Sequence, residues 1–153
     1  MERHIEGGYF RRTFQADQRQ KIGLDDDSRY ILSSIFYLLT DDESVGHWHC
    51  NKSDVIHYHH LGAPINYFMI HPDGRLESAT LGADLLAGQQ LQLTVPGGVW
   101  KASHLCGGDY GLVSEAVSPA FDYRDMTLGD RRFLLELFPQ HEAIIRAYTR
   151  GTD

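Results

Sequence analysis

Between residues 30 and 128 the chain is cut by Gly, Pro, Asn and Asp into short stretches rich in apolar and β-branched residues, and this rhythm constrains the fold most. Residues 30–39, YILSSIFYLL, form a dense apolar run flanked by DDDS and TDDES, too short and too punctuated for a buried helix. Residues 65–70 end at His71-Pro-Asp-Gly74, which carries hairpin chemistry, and a strand resumes over 75–81. Residues 90–95, QLQLTV, alternate apolar and polar before Pro96-Gly-Gly98, so one face of that strand is buried. With further stretches at 99–104, 110–117 and 121–128, the pattern predicts an all-β sandwich or barrel. It changes after Gly129. Asp130 is placed to cap a helix through residue 137, and Pro139 to open a second over 140–149, with Ile144, Ile145 and Tyr148 on its apolar face.

Ahead of this block, residues 6–14 begin with two glycines and continue with the aromatics of a strand. Tyr9, Phe10 and Phe14 are too apolar for a free arm, so the segment is expected to pair with the body of the fold or with a neighbouring subunit. Glu6, Arg11 and Arg12 read as solvated charges. Residues 15–28 read as an exposed loop, and the acidic run at 25–27 is assigned no role.

A chain of 153 residues forms one domain with a core that needs no staple. Its net charge of −7 and the lack of a Lys/Arg cluster exclude a nucleic-acid partner. No apolar run reaches 18 residues, so no membrane span is expected. Two cysteines and a polar N-terminus point to a cytoplasmic protein with reduced thiols, in which Cys50 and Cys106 serve as small buried hydrophobes.

Function concentrates in residues 46–62, GHWHCNKSDVIHYHHLG, which hold five of the nine histidines. A turn at 50–53 separates two arms, and His47/His49 and His57/His59 are both His-x-His pairs. Strand alternation sets each pair on one face, where two imidazoles can converge on a metal or a polar ligand.

The Gly46-x-x-His49 signature, Gly62 and Pro96-Gly-Gly98 resemble the two motifs of the cupin superfamily. Glu6-Gly-Gly-Tyr9, residues 35–39, 95–100 and 117–123 resemble the cupin_5 (DUF985) family more closely, over residues 6 to about 146. The resemblance implies a single cupin domain over 1–153, an RmlC-like jelly-roll barrel with an internal ligand pocket, and a homodimer. It says little about the reaction, because one fold hosts many activities.

The resemblance carries over unevenly. His47 and His49 match the first motif's pair, with His49 the expected ligand. Its acidic position falls on Asp54 counted forward and on Val55 counted backward, and parity makes the two incompatible: an inward Val55 takes His57 and His59 with it. The second motif's histidine falls near Trp100 or Lys101, and a protonated lysine offers no lone pair. The expectation is a pocket with His49 and His59 as catalytic residues and His57, Trp100 and Lys101 lining it, with His104 a weaker candidate. Two alternatives stay open: a divalent transition metal on His49, His57 and His59, or a metal-free pocket for a small molecule, the second preferred. The protein is then an isomerase, epimerase or metal-assisted enzyme acting on a sugar or carboxylate, or a non-catalytic module that binds or senses a metabolite.

Overall fold

The computed structural model describes residues 1–23 and 27–151; Asp25 and Asp26 of the acidic run lie outside the described residues. Among the described residues eleven strands are formed: β1 (Glu2–Arg3), β2 (Tyr9–Gln15), β3 (Ser33–Thr40), β4 (Val45–Asn51), β5 (Asp54–Gly62), β6 (Ile65–Ile70), β7 (Leu76–Leu81), β8 (Gln92–Val95), β9 (Trp100–Leu105), β10 (Tyr110–Ser118) and β11 (Met126–Leu128). Helices α1 (Arg131–Leu137) and α2 (Glu142–Tyr148) follow. Asp130 caps α1 by accepting from the Phe133 amide, while Pro139 opens a 3-10 turn, Pro139–His141, ahead of α2. Residues 121–128 divide into a 3-10 turn, Tyr123–Asp125, and the short β11.

The strands make two antiparallel sheets, ordered β1-β2-β3-β10-β5-β8 and β11-β4-β9-β6-β7. The expected closed barrel does not form. Closure needs an unbroken hydrogen-bonded ladder around the ring. Among the described residues the sheets share none, an isolated bridge from Leu81 to Gln90 aside. The expected pairing of the N-terminal segment is met by β2 on β3.

Alternation sorts each strand between two cores. Tyr37, Leu39, Tyr67, Met69, Leu93, Val95 and Val113 fill the space between the sheets. Trp48, Ile70, Trp100, Ala102, Leu134, Phe138 and Ile145 join the second sheet's outer face to the helices. Burying a side chain of this size is worth about 1.5–3 kcal/mol, so the two cores supply the main favourable term for the scaffold.

Candidate functional site

In β5, Val55 is buried between the sheets and Asp54 is exposed, its carboxylate accepting from the Gly97 amide, so Val55 takes the inward position. His57 follows on the same face and is fully buried. Parity fails in β4. Gly46 pairs with Ser103 and His49 with Lys101, three residues opposite two, and this bulge parts the first His-x-His pair. His49 turns inward, whereas His47 turns to the Tyr148 carbonyl and Trp48 donates to that of Ile144 on α2.

Two carboxylates meet these imidazoles. Glu6, read from sequence as solvated, is 5 % exposed, with Oε2 3.0 Å from His49 Nε2. His49 Nδ1 lies 2.8 Å from the His47 carbonyl oxygen and must donate to it, so a proton is shared between Nε2 and Glu6. Burial raises the Glu6 pKa, but the charge and hydrogen bond of His49, joined by the charge of His4, together outweigh it and leave the carboxyl below its ordinary range. Glu6 stays in place because its carbonyl accepts from the His47 amide and Tyr37 donates to the next carbonyl, that of Gly7. His4 Nδ1, 3.5 Å from Glu6 Oε2, accepts from the Glu6 amide.

The second carboxylate, Glu115 on β10, shares the inward parity of Val113 and Val117. Its Oε1 is 3.2 Å from His57 Nδ1, off the line of a well-aligned hydrogen bond. Lys101 Nζ lies 2.9 Å from His57 Nε2 and 4.0 Å from Glu115 Oε2. The ammonium donates to the Nε2 lone pair, which makes His57 the neutral Nδ1–H tautomer. Burial, then Lys101, depresses the His57 pKa. Burial alone would raise that of Glu115, but Lys101 and then His57 hold it well below the carboxylate range. Beside them Tyr37 and Tyr67 have pKa values raised by burial and then by the two glutamates, and the Tyr67 hydroxyl has no partner among the described residues.

Glu6, His49 and Glu115 form the floor of a cleft of about 80 Å³ that opens past Val55, Phe10, Phe121 and Tyr123, with Arg12 at its mouth. Lys101 and His57 stand behind Glu115. His59 faces inward with its Nε2 buried and without a partner among the described residues, outside this bonded network. Trp100 is not brought to the cleft; it packs on the opposite face of β9 against the helices, its ring 6.2 Å from that of Phe133. His104 shares that face, near Tyr148. Cys50 packs half-buried against the helix-side core, whereas Cys106, expected to be buried, is exposed because it lies just beyond the end of β9.

A three-imidazole metal site does not fit this donor set. Lys101 occupies the lone pair that His57 would offer, and both His49 nitrogens are engaged. Among the described residues no three His, Cys, Asp or Glu side chains are placed to hold a metal.

Sequence reasoning missed Glu6 and Glu115. A legible signal existed for the second, since V-S-E-A-V sets Glu115 in phase with two inward valines opposite small outward residues. No helix among the described residues is long and apolar enough to cross a membrane.

A sequence model of the Cupin superfamily (DUF985) matches residues 1–129. The uncharacterized protein YML079W of Saccharomyces cerevisiae is 36 % identical over 138 residues, covering 82 % of this chain and 68 % of that protein. A hypothetical protein from Leishmania major superposes with a TM-score of 0.90 at 30 % identity, over 98 % of this chain and 93 % of the other. Protein SO0799 of Shewanella oneidensis gives 0.88 at 35 % identity, over 98 % and 91 %. A dTDP sugar isomerase of Desulfovibrio desulfuricans, at 18 % identity, TM-score 0.57 and 81 % and 82 % coverage, is alike in fold alone.

Proposed function

Since the chain belongs to the DUF985 family of the cupin superfamily, we propose that the cleft between its jelly-roll sheets binds a small hydroxylated molecule and moves a proton on it, as isomerases and epimerases do. One observation carries the reading. Two imidazole–carboxylate pairs, Glu6–His49 and Glu115–His57, with Lys101 beside the second, are buried together, and Glu6, His49 and Glu115 of this cluster form the floor of an open cleft. Desolvating such charges costs several kcal/mol per ion and gives the fold nothing that apolar residues of equal volume would not give. Clusters of this kind mark sites of binding or chemistry.

The roles follow from position. Glu6 and Glu115 accept hydrogen bonds from substrate hydroxyls. The proton held at His49 Nε2 passes to a substrate carbonyl oxygen, and the freed nitrogen then takes the proton from the adjacent carbon, so that the oxygen gains one proton, the carbon loses one and the ring is restored. His57 and Lys101 position Glu115 and keep it ionised. His59 and Trp100 take no part in this scheme. The reaction runs without a metal, and the protein is an enzyme of one domain.

The test is solvent exchange. Sugars and hydroxy acids incubated with the protein in deuterium oxide are expected to take up deuterium at carbon, detected by proton NMR. His49→Gln is expected to abolish exchange while keeping the thermal midpoint within a few degrees. Saturable binding in wild type with no exchange on any compound would replace the enzyme by a module that binds the same ligand without turnover.

A further inference from the structure

The cleft over Glu6 and His49 does not end at its mouth. Arg12, Phe121 and Tyr123 line it, and the same three residues line a wider outer groove of about 380 Å³ that continues past Lys21, Arg29 and Arg124. The inner cleft, at about 80 Å³, is smaller than the roughly 300–1,000 Å³ of ordinary ligand pockets, whereas cleft and groove together reach that range. A ligand of ordinary size therefore crosses the line of Arg12.

Charge is distributed unevenly along this path. The floor carries Glu6 and Glu115; the junction and groove carry Arg12, Lys21, Arg29 and Arg124, with Asp122 the carboxylate set among them. Much of the groove's charge is committed. Arg29 forks onto Asp125 at 2.6 and 3.0 Å, Arg124 holds Asp122, and Lys21 lies 4.5 Å over the Tyr30 ring. Arg12 differs, being exposed and without a hydrogen bond or ion pair among the described residues, and it faces both compartments. A guanidinium is a planar fork of five donors matched to carboxylate and phosphate oxygens. Phe121 and Tyr123, in edge-to-face contact at 4.9 Å, wall the passage beside it.

From this arrangement we infer that the ligand is bipolar: a hydroxylated end reaches Glu6 and His49, and an anionic group, carboxylate or phosphate, is taken by Arg12 at the junction. The inference rests on the reading of the cleft given above and assigns the substrate class within it. Arg12 is then the residue that selects acidic over neutral hydroxylated compounds.

Binding of three probes of similar size, glucose, gluconate and glucose 6-phosphate, measured by calorimetry on the wild type, Arg12→Gln, Arg12→Lys and His49→Gln, tests it. The wild type is expected to bind at least one anionic probe roughly tenfold or more tightly than glucose, the yield of one charged hydrogen-bonding contact. Arg12→Gln is expected to remove that preference by weakening the anionic probes more than glucose, and Arg12→Lys to restore part of it. Which anionic probe binds better identifies the group. Equal binding of all three to the wild type, with His49→Gln weakening each, would overturn the anion site and leave the cleft reading standing. An anion preference that survives in Arg12→Gln overturns the role of Arg12, and failure of all three probes to bind the wild type overturns both.

Discussion

His49 Nε2 stands 3.0 Å from Glu6 Oε2 although 43 positions separate the two residues in the chain, and their partnership is made by backbone. The His47 amide donates to the Glu6 carbonyl, so the N-terminal segment lies along β4 and delivers its carboxylate to the ring two residues on. Gly7 allows this. Its φ of +105° is in the region that favours glycine, and a Cβ there would collide with the Val45 carbonyl.

Gly7→Ala is expected to separate Glu6 from His49. The thermal midpoint should fall, with about 1–3 kcal/mol of backbone strain introduced, and ligand binding should weaken more than in a destabilised variant of equal midpoint made on the helix face. Circular dichroism melts and calorimetry on both variants check this.

Lys101 should matter more as the partner of Glu115 than as a cation in its own right. Lys101→Met leaves a buried carboxylate with reduced compensation and is expected to cost about 3–5 kcal/mol. In Lys101→Met/Glu115→Leu, where both charges go, most of that loss should be recovered. Urea unfolding of the single and double variants measures the coupling, and additive losses would refute it.

Acid should destabilise the protein in two stages. Folded His57 titrates below its ordinary value of 6.5, so as pH drops under 6.5 the unfolded chain takes up a proton that the folded one refuses. Half-buried His47, shifted down by burial, adds to the same window. Glu6 and Glu115 titrate below their ordinary 4.5, so their contribution, whole above that value, drains away as pH falls from 4.5 toward their lower folded values. Thermal midpoints between pH 7.5 and 3.5 should decline in that order, and His57→Gln should diminish the first stage.

Zinc or nickel added in equimolar amount at pH 7 to untagged protein is expected to leave the thermal midpoint unchanged, because the lone pair of His57 is already occupied by Lys101. Stoichiometric binding lost in both His49→Ala and His59→Ala would show that the cluster rearranges around a metal.

Trp100→Ala should cost about 3–5 kcal/mol through the cavity it leaves between β9 and the helices. Probe affinity per folded molecule should not change, since Lys101 and Trp100 point to opposite faces of the strand. Calorimetry at a temperature where both proteins are folded decides the point.

Local properties of the chain determine a good deal here. Alternation and Gly/Pro punctuation specify the strands, because a period of two with turn residues between admits little else, and Asp130 with the 3.6-residue pattern specifies α1. That Val55 and His57 share a face follows from one strand alone, whereas the choice between Asp54 and Val55 as the inward residue is made by the packing of the sheets. Other properties rest on pairs of distant segments. The bulge that turns His49 away from His47 depends on the register of β4 against β9, and the open edges that keep the sheets from closing depend on every ladder at once. Glu6 and Arg12 have the composition of solvated charges, and only the path of the N-terminal segment buries the first and sets the second at the mouth of the cleft. A charged side chain states its cost of burial in the sequence, but the partners that offset the cost are supplied by tertiary contact, and those partners made the site.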